Sequence, residues 1–181
     1  MINHRLIRNL RWVRRFNFHS INHEQNVAEH SFFVGLLAYD LGLVFNGEMY
    51  AFRCMKTALY HDLEESVTSD IPFLVKRYLD TQFIERTARK MINIKDIHKD
   101  NFDDSILSIV RLADIVEMKL FLEEERRTGN MSLYEIEQEA FYLLVHSSAP
   151  KVCIDAAYEL VQSIPQKPIT DDLIHTWKFG V

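Results

Sequence analysis

Apolar residues recur every three or four positions along almost the whole chain, and only five glycines and four prolines interrupt them. That period predicts an all-α fold. Leu6, Leu10 and Val13 form one stripe of a helix expected over residues 3–15, with Arg8, Arg11 and Arg15 together on another side. Residues 16–25 keep no period and read as an ordered loop. It ends where Asn26 and Glu29 have the spacing of an N-cap and its N3 partner, opening a helix to about Val44. A third helix is expected over 49–65, with Phe52, Met55, Leu59 and Leu63 facing inward. Pro72 then suits the first position of a short helix over 73–78. Further helices are expected over 81–94, over 103–127 with Gly129 just past its end, after Ser132 and after Pro150. A polar connection spans 95–101, and Pro165 and Pro168 turn the chain into a terminal segment carrying Trp177. With no internal repeat or low-complexity linker, these helices should share one core: a compact multi-helix bundle, one domain over 1–181.

Composition sharpens this picture in three ways. A chain of 181 residues with 48% apolar content buries roughly 70% of its extended surface, so it needs no structural metal, and a metal found here is expected to be catalytic. The balance of 21 Lys and Arg against 26 Asp and Glu, a net charge of -5, argues against a nucleic-acid sleeve. It leaves room for a local basic pocket, since Arg5, Arg8, Arg11, Arg14 and Arg15 all precede the first acid, Glu24. Cys54 and Cys153 form no C-x-x-C, which fits a reducing cytosol. The longest apolar run, 32–39, is about half of a bilayer crossing, and the Arg-rich start lacks the apolar core of a secretion signal. A cytoplasmic protein that engages no membrane is expected. Gly42 and Gly47 sit in no phosphate-loop pattern.

Candidate chemistry lies in His30, the adjacent pair His61-Asp62, and Asp114, each inside an expected helix among apolar neighbours. Ionisable groups at such positions need compensation. Two imidazoles and two carboxylates suit Mn, Co, Ni, Fe or Zn, with Mg possible, and leave room for water or a phosphate oxygen. The alternative is that the histidines are hydrogen-bonded core residues and the acids are caps or surface charges. Asp103 or Asp104 could stand in for Asp114, although a mid-helix aspartate is hard to explain as a cap. Glu65, four residues after His61 and three after Asp62, shares their face and is the candidate acid/base beside a metal-bound water. His19 and His23 read as loop residues that could touch phosphate; His4, His98, His146 and His175 receive no role.

The segments Asn26-Val27-Ala28-Glu29-His30-Ser31, Tyr60-His61-Asp62-Leu63-Glu64-Glu65-Ser66 and Arg111-Leu112-Ala113-Asp114 resemble, in order, the motifs of HD-domain metal-dependent phosphohydrolases. Within them the chain resembles the bacterial 5′-deoxynucleotidases and their phage deoxyadenosine triphosphate hydrolase relatives, over roughly residues 5–160. The resemblance implies an all-helical HD-domain bundle with one divalent cation held by His30, His61, Asp62 and Asp114, Glu65 in acid/base work, and a homodimer. Family members place an Arg-Trp pair before the loop; here Arg15-Phe16 stands there, keeping the phosphate-binding charge and losing the indole N–H. Asp70 resembles the acid that faces the sugar and favours deoxyribose, while a cap on the next helix is the plain alternative. Phe16 and Phe18 could flank a purine, with Phe18 equally readable as a core anchor. Lys76 or Arg77 could reach phosphate or simply be solvated.

Three functions follow as expectations. The first is metal-dependent hydrolysis of 2′-deoxynucleoside 5′-monophosphates to deoxynucleoside and phosphate. The second is a triphosphohydrolase, dATP among its candidate substrates, releasing intact triphosphate, with Arg8, Arg11, Lys76 and Arg77 as candidate contacts beyond the α phosphate. The third is a non-catalytic nucleotide-binding domain. In each the partner is a small deoxynucleotide rather than a nucleic-acid polymer, and the setting is a bacterial or phage-infected cytoplasm.

Overall fold

The computed structural model describes residues 2–76, 78–94 and 103–163, with the backbone alone at Phe73 and Leu74. Arg77, the connection over 95–101, and Pro165, Pro168 and Trp177 lie outside the described residues. Among those described there is no β-strand. The helices are α1 (His4–Ile7), α2 (Val27–Asn46), α3 (Glu48–Ala58), α4 (Glu65–Thr68), α5 (Phe73–Lys76), α6 (Thr81–Met91), α7 (Asp104–Arg127), α8 (Tyr134–Val145) and α9 (Lys151–Ser163), with tight 3-10 turns at Arg8–Trp12 and Met131–Leu133.

The main core gathers around α2, α3, α7 and α9, where Val34, Ala38, Cys54, Ile109, Leu112, Val116, Cys153 and Ala157 are buried together. Small residues let α2 and α3 lie close: a Cβ on Gly42 would sit 2.9 Å from the Cα of Ala51 and 3.0 Å from the Sγ of Cys54. Gly47, at a φ of 76°, supplies the left-handed turn between these helices. A second cluster, Leu10, Val13, Val27, Leu63 and Ile92, ties the N-terminal segment to the turn before α4 and to the end of α6. A third joins Phe121, Leu122, Leu133 and Ala140 to the half-buried Phe16 and Ile21.

Three expectations change. The first helix stops at Trp12 instead of running to residue 15. Val13 is extended, an antiparallel bridge joins Arg14 to Asn26, and the N–H groups of Arg15 and Val27 donate to the carbonyls of Gln25 (3.0 Å) and Val13 (2.9 Å). Burying Val13 and Val27 in one cluster favours this crossing over another helical turn, so Arg15 does not share a helix with Arg8 and Arg11. The third helix ends at Ala58, and turns over residues 59–64 precede α4, which places His61 and Asp62 in turns rather than in a helix. Its inward face is Tyr50, Ala51, Cys54, Thr57 and Ala58, while Phe52 and Leu59 are exposed; the close approach at Gly42 sets that rotation by favouring small side chains. Finally, α2 is by length and composition apolar enough to cross a membrane, beyond the short run read from sequence. In this fold it packs against α3, α7 and α9.

Candidate metal centre

A capping box fixes the start of α2: the Asn26 side chain accepts from the N–H of Glu29 (3.0 Å) and the Glu29 carboxylate accepts from the N–H of Asn26 (3.3 Å). His30 therefore falls on the first turn, fully buried, facing α7. The turn after α3 brings His61 and Asp62 to the same point, and the middle of α7 brings Asp114. His30 Nε2 lies 3.2 Å from an Asp114 oxygen and 3.6 Å from an Asp62 oxygen, and His61 Nε2 lies 3.1 Å from that same Asp62 oxygen. Ligand atoms of His30, His61 and Asp62 all fall within 4.8 Å of one another.

The other ring nitrogens decide what this cluster is. His61 Nδ1 is 2.5 Å from the carbonyl of Ala58, and His30 Nδ1 is 2.5 Å from a Glu117 carboxylate oxygen. His61 Nδ1 faces an acceptor alone, so in the neutral ring it carries the hydrogen and Nε2 presents a lone pair, while His30 Nδ1 lies between the Glu117 acceptor and the Arg15 Nη1 donor. The two buried Nε2 atoms have no hydrogen-bond partner. Two imidazole nitrogens and two carboxylates thus converge, an arrangement that a cation can satisfy in place of protons, and the ligand set suits a divalent transition metal. The alternative of hydrogen-bonded core histidines accounts for the Nδ1 atoms and leaves the Nε2 atoms stranded.

Without a cation, a proton supplies positive charge to the cluster: burial works against a charged His61, but the carboxylates of Asp62 and Asp114 override it and lift its pKa to about 9. Burial also opposes ionisation of Asp62 and Asp114, yet the two imidazoles and Arg15 hold both acids below the usual carboxylate range. Glu65 behaves oppositely: burial, then the charges of Asp62 and Asp70, push it up to about 8 against Lys76 and Arg15. Its side chain is nearly closed off, with Lys76 Nζ at 3.8 Å. Burial likewise raises Asp70, against the pull of Arg15 and Lys76.

A cavity of about 370 Å³ opens from the cluster between α4, α6 and α7, lined by His61, Asp62, Glu65 and Asp114 together with Lys76, Arg111 and the ion pair of Arg89 with Glu64 (3.1 Å). Arg15 approaches His30 from the opposite side, touching its Nδ1 and donating to Glu117 (3.0 Å) and to Gln25 (3.2 Å). Phe16, at a φ of 53°, stacks on Phe121 with ring centroids 5.0 Å apart, while Phe18 is 74% exposed and so is no core anchor. Asn17 donates to the carbonyl of Asp70 (3.3 Å), tying this loop to the α4–α5 connection. Arg8 and Arg11 are exposed, with Arg11 lying over Trp12. Asp103 is spent as the α7 N-cap and as acceptor from Tyr50, Asp104 sits in the first turn of α7, and His23 pairs with Glu125.

Sequence reasoning missed Glu117, Gln25 and Arg111 as parts of this region. Glu117 stands one turn after Asp114, and that spacing was the available signal.

A protein-family model described as YfbR-like 5′-deoxynucleotidase matches residues 4–156. Among curated relatives, the 5′-deoxynucleotidase YfbR of Salmonella paratyphi B is 32% identical over 127 residues, covering 59% of this chain and 63% of that protein, and the Salmonella newport protein matches equally. The chain thus spans less than two thirds of the length of these relatives. Among solved structures, the HD phosphohydrolase DatZ of cyanophage S-2L, bound to dA and one catalytic Zn2+ ion, superposes with a TM-score of 0.74 at 18% identity over 90% of this chain and 95% of that one. The PH0347 protein of Pyrococcus horikoshii does so with a TM-score of 0.74 at 20% identity, over 88% and 97%. The fold is therefore the all-α HD-domain bundle, and the chain belongs to the YfbR-like 5′-deoxynucleotidase family.

Proposed function

We propose that the protein hydrolyses 2′-deoxynucleoside 5′-monophosphates to deoxynucleoside and phosphate with the help of one divalent cation. The observation that carries this reading is the convergence of two imidazole nitrogens and two carboxylates, from His30, His61, Asp62 and Asp114, beside a nearly buried acid, Glu65, at the wall of a cavity. Family membership and the Salmonella relatives support the monophosphate, and the zinc in the phage neighbour supports a transition metal from the Co, Mn, Ni, Fe and Zn set. His30, His61, Asp62 and Asp114 would hold the cation, which would supply Lewis acidity toward water and offset phosphate charge. Arg15 binds and orients the phosphate. Glu65, with its raised pKa, holds a proton near neutral pH and exchanges it with the attacking water or the departing 5′ oxygen. Asp70 faces the sugar and disfavours a 2′-hydroxyl. Phe16 is committed to Phe121, so Phe18 is the loop aromatic free to meet a base.

The cavity favours a second reading, a triphosphohydrolase. Lys76 and Arg111 line it beside the cluster and offer charge to a longer phosphate chain, while Arg89 is paired with Glu64. The deciding experiment is hydrolysis of deoxy- and ribonucleoside mono- and triphosphates by the metal-supplemented protein, with phosphate and triphosphate detected separately. Phosphate from deoxymonophosphates alone supports the first reading. Triphosphate release supports the second, and nucleotide binding without either product makes the domain non-catalytic. A homodimer is part of the proposal: Phe32, Leu36 and Leu43 on α2, Phe52 on α3 and Leu59 in the turn after it are all exposed, an apolar face suited to a second copy. The setting proposed is the bacterial or phage-infected cytoplasm, with no nucleic-acid polymer or membrane as partner.

A further inference from the structure

Glu117 is a buried carboxylate on α7 that neither faces the cavity nor belongs to the four converging ligands. It is nevertheless saturated with donors. Its Oε2 accepts from His30 Nδ1 (2.5 Å) and from Arg15 Nη1 (3.0 Å), and its Oε1 accepts from Gln25 Nε2 (2.5 Å). Gln25 closes the ring by accepting from Arg15 through its own Oε1 (3.2 Å). Three features make this more than a core ion pair. A carboxylate oxygen can only accept, so Glu117 favours the tautomer with hydrogen on Nδ1 and the Nε2 lone pair toward Asp62 and Asp114, and it draws to itself the Arg15 Nη1 donor that also touches Nδ1. The same oxygen also holds Arg15. Finally, the donors come from both feet of one loop, because Arg15 and Gln25 are paired through their backbones at 3.0 Å.

We propose that Glu117 is a positioning residue that couples metal loading to the phosphate-binding arginine, by holding His30 in its metal-binding tautomer and Arg15 in place through one shared oxygen. Coupling of this kind is reciprocal: what loosens Arg15 weakens the hold on His30, and the reverse. The inference rests on the metal reading above.

The test is titration of the metal-free protein with Co2+, followed by its visible absorption, with no turnover involved. Glu117→Gln preserves shape but presents an N–H2 group to one of its three donors. It is expected to lower Co2+ affinity about 10- to 100-fold and to alter the absorption band, as loss of a partner behind a ligating histidine does. Arg15→Met, which removes no proposed ligand, is expected to lower Co2+ affinity several-fold, and to have little further effect in the Glu117→Gln background, the non-additivity expected of residues sharing one bond network. Gln25→Ala is the milder variant should Glu117→Gln fail to fold, and it should shift affinity in the same direction. Unchanged Co2+ affinity and absorption in folded Glu117→Gln, or in Gln25→Ala where only that variant folds, overturns the role of Glu117, as do strictly additive effects of Arg15→Met and Glu117→Gln. Failure of the wild-type protein to bind Co2+ overturns the metal reading itself.

Discussion

Helix α7 carries carboxylates in two places, and they are arranged in opposite ways. Near its C-terminal end the Glu125 side chain, fully shielded from solvent, accepts from the N–H groups of Asn22 and His23 and from the Asn130 amide, each at 2.7 Å, and from His23 Nδ1 at 3.0 Å. Close by, Lys119 Nζ lies 2.7 Å from Glu137 and 3.2 Å from Glu123, with Arg126 joining both acids. There donors answer acceptors. Around Asp114 no such set of fixed donors is present: two imidazole nitrogens and two carboxylates meet, and Arg15 Nη1 and the Gln25 amide donate to Glu117 instead. Burial of charge therefore does not by itself mark function in this molecule. The mark is a convergence of ligating groups that the chain leaves without fixed donors.

The strongest challenge to this contrast is Asp62→Ala. It should reduce phosphohydrolysis by more than about 10³-fold, since loss of the cation removes both water activation and phosphate charge compensation. Bound metal per chain, read by elemental analysis, should fall with the rate; a variant that keeps its full metal content would remove Asp62 from the proposed ligand set. Glu65→Gln comes next, with kcat expected to fall about 10²- to 10⁴-fold while bound metal per chain, read by elemental analysis, stays the same. Loss of metal in that variant would make Glu65 a ligand instead of an acid.

At the other end of α7 the effects should appear in stability. Glu125→Ala strands two backbone N–H groups and the Asn130 amide, and denaturant unfolding should register a loss of about 2–4 kcal/mol. The smallest effect is its pH dependence. Burial raises the Glu125 pKa, but Asn22, Asn130 and His23 outweigh it and hold the acid below its ordinary range. Folded protein thus binds fewer protons there than unfolded protein. The stabilisation is complete above the ordinary glutamate value of about 4.3 and is lost as pH falls through the lower folded value. Glu125→Gln should therefore flatten the acid side of a plot of melting midpoint against pH; an unchanged slope would mean that other carboxylates set it.

Legibility in the sequence followed distance along the chain. Asn26 and Glu29 announced the start of α2 because a capping box is a three-residue affair, and Gly129 announced the end of α7 for the same local reason. His30, His61, Asp62 and Asp114 stood out as ionisable residues among apolar ones, and the structure brings all four together. The end of α3 was hidden because Leu59 and Leu63 continue the helical period through a stretch that the chain folds as turns. Val13 was hidden similarly, its partner Val27 lying across a loop. The inward face of α3 depended on Gly42, a contact no periodicity within α3 can reveal. Glu117 and Gln25 escaped because an acid and an amide become a matched pair only when elements 92 residues apart meet.

The bridge between Arg14 and Asn26 has one more consequence. Both ends of the intervening segment are stitched together, and residues near 20–23 are bonded to the end of α7. On the reading proposed above, a side-chain change at the exposed Phe18 would alter which base is accepted while Arg15, Gln25 and His30 keep their places.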